Sequence, residues 1–285
     1  MAQMKVVLFC GGLGMRIREA GENTPKPMVH VGDRPILWHV MKYYAHFGHK
    51  EFILCLGYRA DVIKNYFVNY SEFTSNDFVL RNGGKDLQVF NSDIHDWTIT
   101  FVDTGTNSNI GQRLKAVEKY LDGEKVFLAN YSDNLTDFNL PDLIEPFYGL
   151  RKTAAFLCVR PSLSCHCVSI GDGGLVQEIK TLSQSEIMIN GGYFIFDRTI
   201  FDYIKAGEEL VREPFQRLIE KKQLVAHPYD GFWRSMDTFK EKQELDDLYS
   251  SGLAPWQLWK RQSNGDAAIP VTGQSANSRL ETRRK

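Results

Sequence analysis

The sequence predicts an α/β fold, a mostly parallel central sheet flanked by helices, with a small hairpin excursion. Short apolar runs of strand length alternate with longer stretches whose apolar residues recur every three or four positions. The runs are continuous rather than alternating, as strands covered on both faces require. Glycines and polar residues punctuate the ends of both kinds of segment.

Each element follows in order. Residues 5–9 (KVVLF) read as a strand, and 35–48 as a helix with Ile36, Leu37, Val40, Met41 and Tyr44 on one stripe. Residues 51–57 read as a strand ending at Gly57, 60–70 as a helix, and 97–105 as a strand. A helix over 110–121 places Ile110, Leu114, Val117 and Leu121 together. Strands follow over 125–134 and, after a helical connection, 154–160. Residues 77–96 interrupt the alternation with a hairpin turning at Asn82, Gly83 and Gly84. From about Arg160 the pattern changes. A second turn falls at Asp172, Gly173 and Gly174, and a strand over 188–197 contains Gly191 and Gly192. Helical stretches are expected over 198–205 and 213–222, with a last helix over 238–252 capped by Gly252. Residues 260–285 are polar and non-periodic, which predicts a disordered tail. The expected organisation is one domain over 1–259, with halves of about 1–150 and 151–259.

Composition excludes several classes. The chain has 285 residues, 43% of them hydrophobic, and 34 Lys plus Arg against 35 Asp plus Glu. Such a balance gives no field drawing the protein to nucleic acid or an anionic membrane. No run approaches the roughly 18 apolar residues of a membrane span. The first apolar run is too short for a secretory signal, so a cytoplasmic location is expected. Cys10, Cys55 and Cys158 sit in apolar runs and read as buried hydrophobes of a reducing compartment. Cys165, His166 and Cys167 could present two sulfurs on one strand face, but no second half-site completes a zinc tetrahedron.

The stretch CGGLGMR, residues 10–16, follows the first strand. Glycines there can present bare N–H groups to phosphate oxygens. The Gly-Lys-Ser/Thr ending of the triphosphatase loop is absent, and Ile17 stands where the dinucleotide fingerprint needs a glycine. A plain structural turn is therefore an open alternative. Ten residues beyond Arg16, Lys26 lies between Pro25 and Pro27. Proline restricts both itself and its predecessor, which predicts a stiff, extended mount for the lysine.

These residues carry a resemblance. GGLGMR followed by PKPMVHVGDRPILWHVMKYY resembles the opening of the sugar-1-phosphate nucleotidyltransferases. The segments LGYRADVIKNYF, FVDTG, GQRLK, MINGGYF, GFWRSMDT and APWQLW bring it nearest to the glucose-1-phosphate cytidylyltransferases. The matches are collinear from about Lys5 to Trp259. The resemblance implies the Rossmann-like nucleotide-diphospho-sugar transferase fold, with the C-terminal part closing over the sugar. It further implies Mg2+-dependent transfer of a nucleotidyl group from CTP to a hexose 1-phosphate, in a homo-oligomer that supplies CDP-sugars for O-antigen and other surface polysaccharide.

The same resemblance assigns roles. The backbone of Gly11, Gly12, Leu13 and Gly14 would wrap the nucleotide, with Arg16 on its β and γ phosphates and Lys26 on the α phosphate. Thr104, Gly111 and Arg113 match positions near base and ribose. Asp133 and Asp237 would hold the metal, although by pattern alone either could cap a helix. Glu178 and Lys180 share a strand face suited to sugar hydroxyls and the sugar phosphate, or to a surface ion pair. Asn190, Gly191 and Gly192 correspond to the strand edge against which the sugar lies. Phe232, Trp233, Trp256 and Trp259 read as packing anchors.

Four departures from the family pattern stand out: Met15 for a threonine, Ser132 and Asn134 for glycines, Gln112 for a glycine, and the segment RPSLSCHCVSIGD. UTP or dTTP in place of CTP is the nearest variant. A metal-dependent glycosyltransferase would commonly carry an Asp-x-Asp pair, which the chain lacks. A silent sugar-phosphate-binding subunit would have no chemical reason to keep Arg16, Lys26, Asp133 and Asp237 together.

Overall fold

Side chains of a strand alternate between two faces, and here both faces are apolar. In Lys5–Phe9, Val6 and Leu8 enter one core while Val7 and Phe9 enter another. In Glu51–Leu56, Phe52, Leu54 and Leu56 join the first core, and Ile53 and Cys55 the second. Each fully buried side chain of this kind contributes about 1.5–3 kcal/mol, so the sheet must be covered on both sides. The helices Ile36–His46, Ala60–Val68 and Pro141–Leu150 cover one face, and Ile110–Ala116 and Glu213–Glu220 the other.

The computed structural model describes residues 2–12, 24–90, 92–162, 165–182 and 185–261. The central sheet has seven strands in the spatial order Leu224–Tyr229, Ala154–Val159, Ile189–Asp197, Val126–Asn130, Lys5–Phe9, Glu51–Leu56, Thr98–Asp103. All neighbours are parallel except at Ile189–Asp197, which runs against both strands beside it. The expected hairpin is present as Phe78–Arg81 and Asp86–Val89, turning at Asn82–Gly84, where Gly83 and Gly84 have φ of 62° and 90°. A second hairpin pairs His166–Ile170 with Val176–Thr181. No described helix is long and apolar enough to cross a membrane.

The structure revises several local expectations. The strand expected over 125–134 breaks into Val126–Asn130 and Asn134–Thr136, because Ser132 adopts a left-handed φ of 67°. The helix expected over 110–121 ends at Ala116 and continues as a 3-10 turn, Glu118–Leu121. The stretch 198–205 is likewise a 3-10 helix, Arg198–Tyr203. Lys26 is not on extended backbone: Met28 N–H donates to Pro25 O and Val29 N–H to Lys26 O, closing a 3-10 turn over Lys26–Met28. The edge strand Leu224–Tyr229 was not anticipated, and Pro228 is tolerated there because an edge strand has a free side.

After Trp233–Ser235 the chain returns to the first half. The helix Phe239–Ser250 places Asp246 Oδ1 3.0 Å from the Gly32 N–H, and Trp256 Nε1 donates to His39 Nδ1 at 3.3 Å. Lys260 and Arg261, expected in the tail, belong to a last short helix, Leu258–Arg261; residues 262–285 lie outside the described residues. Cys10 and Cys55 are buried and Cys158 half-buried, and all three are free thiols. Cys165, exposed, and Cys167, half-buried, lie at the second hairpin.

Candidate active site

The first strand lies between Glu51–Leu56 and Val126–Asn130, so the connections from its two sides diverge at its carboxyl end. In open parallel sheets that divergence opens a crevice where ligands bind. Gly11 and Gly12 lead out of the strand at this point. Leu13, Gly14 and Arg16 lie outside the described residues. A Cβ on Gly11 would stand 1.9 Å from Arg113 Nη1, while one on the exposed Gly12 would meet no atom of the described residues within 4 Å.

Arg113 is 2% exposed and occupies the floor beneath these glycines. Its Nη1 donates to Leu56 O at 3.1 Å, Thr104 Oγ1 at 2.7 Å and Gly105 O at 2.9 Å. Its Nη2 donates to Gly11 O at 2.9 Å and Thr106 O at 3.3 Å. Thr104 Oγ1 in turn donates to Leu56 O at 2.7 Å. One guanidinium thus ties together the ends of three neighbouring strands, the first of them at the start of the glycine loop. Burial lowers its pKa, but arginine stays charged at any relevant pH. Gly111 lies in the same helix, where a Cβ would meet Glu208 O at 2.3 Å, so its smallness permits close packing of that helix. Sequence reasoning missed this knot, yet a signal was there. Arg113 sits at i+3 from Ile110, on the same apolar stripe as Leu114 and Val117.

Three of the four residues expected to do the chemistry converge. Lys26 Nζ donates to Asp133 Oδ2 at 2.6 Å and to Asp237 Oδ1 at 2.7 Å, across 107 and 211 residues of sequence. The fourth, Arg16, falls outside the described residues. Asp133 is presented by the left-handed turn at Ser132, whose Oγ donates to Phe9 O at 2.8 Å and whose N–H donates to Asn130 Oδ1 at 2.7 Å. The turn is therefore fastened to the end of the first strand. Asp237 arrives because Asn134–Thr136 pairs with Trp233–Ser235, and Met236 N–H donates to Asp133 O at 3.0 Å. The helix after Asp237 is capped by Thr238 in a reciprocal box with Glu241, so Asp237 is not the cap.

Burial opposes an ammonium in this cleft, but the two carboxylates outweigh it and hold Lys26 above its ordinary pKa. Burial also raises the Asp133 carboxyl, against the pull of Lys26. About a fifth of the Asp133 side chain stays accessible, 22%, and 42% of Asp237. Two carboxylates brought to one lysine are a donor set that suits Mg2+. That ion takes one or two protein carboxylates and completes its shell with phosphate oxygens and water.

Beside the turn that carries Asp133, Asn190 Nδ2 donates to Tyr131 Oη at 3.1 Å, and Asn190 Oδ1 accepts from the Gly192 N–H at 2.9 Å. Gly191 O accepts from Trp233 Nε1 at 2.8 Å. Gly192 has a φ of 77°, and a Cβ there would meet Asn134 Nδ2 at 2.3 Å. These three residues therefore border the turn that carries Asp133. Glu178, exposed, and Lys180, half-buried, lie on the second hairpin and pair with each other at 3.1 Å along one strand. Gln112 closes the helix cap instead: its Oε1 accepts from the Asn109 N–H, and its own N–H donates to Asn109 Oδ1, both at 2.9 Å. Trp233 and Trp256 are buried, with Phe232 stacked on Trp256 at 5.7 Å, as packing anchors would be.

The family model described as Nucleotidyl transferase matches residues 5–242. The chain is 35% identical over 258 residues to the glucose-1-phosphate cytidylyltransferase of Salmonella typhimurium, and 36% over 259 residues to that of Salmonella typhi. Both alignments cover 90% of this chain and 100% of the relative. Among solved structures, UTP-bound UGPase from Acinetobacter baumannii superposes with a TM-score of 0.65 at 16% identity, covering 92% of this chain and 98% of that one. The crevice with its lysine-bridged carboxylates thus stands in a chain that belongs to the nucleotidyl transferase family.

Proposed function

We propose that the protein transfers the cytidylyl group of CTP to a hexose 1-phosphate, foremost glucose 1-phosphate, giving a CDP-sugar and pyrophosphate. An oxygen of the sugar phosphate attacks the α-phosphorus, and the bond from that phosphorus to the oxygen bridging to the β phosphate breaks. Both reactants are anions, so the chain's task is to hold them in line and neutralise the charge gathering at phosphorus. The single observation that carries this reading is the meeting of Lys26, Asp133 and Asp237 at the crevice.

Each group then has a task. The amides from Gly11 to Gly14 cradle the triphosphate, and Arg16 meets its β and γ phosphates. Arg113 and Thr104 fix the floor of this cradle, and Gly111 seats the helix bordering the base and ribose. Lys26 stabilises negative charge at the α phosphate, where the ammonium counts for more than in water. Asp133 and Asp237 hold Mg2+, which screens phosphate charge when bound. Asn190, Gly191 and Gly192 form the edge for the sugar ring, with Glu178 on its hydroxyls and Lys180 on its phosphate. The working form is read as a cytoplasmic homo-oligomer whose product feeds deoxysugar synthesis for surface polysaccharide.

The test is pyrophosphate release with each of four nucleoside triphosphates against several hexose 1-phosphates. Release with CTP and glucose 1-phosphate alone is the expected result. Activity only with UTP or dTTP would replace the base assignment, and no release with any pair would refute the reaction.

A further inference from the structure

Lys26 stands between the two carboxylates read as metal ligands, and this position has a consequence for how the site fills. One nitrogen lies 2.6 Å from Asp133 Oδ2 and 2.7 Å from Asp237 Oδ1, so those two oxygens are at hydrogen-bonding distance from a common cation. A divalent ion bound by both carboxylates would compete with the ammonium for the same pair of groups. An ammonium offers three donors, and two of them are engaged here. We propose that Lys26 is the resident counter-ion of Asp133 and Asp237, that it competes with the divalent cation for them, and that it is released towards the triphosphate as that cation is taken up. This rests on the reading of Asp133 and Asp237 as the residues that hold Mg2+.

The mount of Lys26 fits such an exchange. Pro25 and the buried Pro27 and Met28 fix the turn that carries it, closed by the hydrogen bonds of Met28 and Val29. The backbone therefore holds still while the four-carbon side chain can swing. The carboxylates arrive on separate, fastened elements, the Ser132 turn and the segment after Trp233–Ser235. Left without a cation, two carboxylates this close would repel each other. With Lys26 between them, the three groups sum to one negative charge. With a divalent ion added and Lys26 freed, they sum to one positive charge, which suits a polyphosphate. The cleft would become cationic only when the ion is in place.

The experiment measures Mn2+ binding to the nucleotide-free protein by electron paramagnetic resonance of the unbound ion. Lys26→Met removes the competing charge and keeps most of the side chain's length, so Mn2+ should bind about tenfold or more tightly than in wild type, a change of about 1.4 kcal/mol. Adding Asp133→Asn to that variant should abolish the gain. Equal or weaker binding in Lys26→Met, with binding still lost in the double variant, would overturn the exchange and leave the carboxylate assignment standing. Absence of Mn2+ binding in every form would overturn both. A second measurement uses wild type alone: acylation of Lys26, followed by peptide mass spectrometry, should rise when Mn2+ is added without nucleotide. Unchanged labelling would contradict the proposal even if the variant fails to fold.

Discussion

His39 gives the fold a measurable weakness in acid. It is fully buried, with Nε2 2.9 Å from Val31 O and Nδ1 accepting from Trp256 Nε1 at 3.3 Å. Both ring nitrogens are satisfied only by the neutral imidazole with its proton on Nε2. Burial lowers its pKa to about 4, against about 6.5 for an unfolded histidine. Because the folded value is depressed, the unfolded chain binds the proton first. Stability therefore falls as the pH drops below about 6.5 and keeps falling until about 4. Between pH 7.5 and pH 5 this one group costs about 2 kcal/mol, and near pH 5 it accounts for about 0.9 of a proton taken up on unfolding. His49, also buried and with a pKa lowered to about 4, adds a similar dependence. The perturbation is His39→Gln, whose amide can still donate to Val31 O. At pH 7.5 the variant should be less stable by about 1–2 kcal/mol, since Trp256 Nε1 loses its acceptor. The assay is urea unfolding at a series of pH values, read as the slope of stability against pH near pH 5. The slope should drop by roughly one proton's worth in the variant. An unchanged slope would refute the assignment of a neutral, wedged imidazole.

Three further outcomes follow from the site. Lys26→Ala should lower pyrophosphate release roughly a hundred- to a thousandfold, the range for losing a preorganised charge-stabilising donor, while far-UV circular dichroism stays unchanged; a tenfold loss or less would demote Lys26. Gly192→Ala places a Cβ 2.3 Å from Asn134 Nδ2 at a φ of 77°, and should lower stability by about 1–3 kcal/mol in thermal unfolding. Gln112→Gly removes the side-chain half of the reciprocal helix cap and puts a glycine in the helix, and should cost about 1 kcal/mol. The nucleotide preference should not move in that variant, and a change of preference would place Gln112 at the base.

The sheet was legible because its strands are apolar on both faces. Runs such as Val6–Phe9 and Phe52–Leu56 have no other stable home than between two helical layers. Lys26 and Asp133 were legible from their setting, a proline-flanked lysine and a carboxylate past a strand end, and Asp237 was joined to them only through the resemblance. Local pattern could not reveal the ladder between Asn134–Thr136 and Trp233–Ser235, whose strands are 3 residues each. Such short segments carry no periodicity, and their pairing is a long-range event. The same holds for Ser132: nothing in YSDN announces a left-handed serine, because its φ is sustained by hydrogen bonds to Phe9 and Asn130. Arg113 was placed near the nucleotide, but its task of gathering carbonyls depends on three strands that only the fold brings side by side.

The one strand traversed in the opposite sense also deserves its due. Since Ile189–Asp197 runs against its neighbours, its opening residues stand at the rim where the other strands finish. The long connection from Arg160 to Ile189 consequently leaves and rejoins the body at the mouth of the crevice. Substitutions or length changes in that connection can re-contour the mouth of the crevice while the seven-strand scaffold keeps its register. Variety at the rim can thus arise on an unaltered floor.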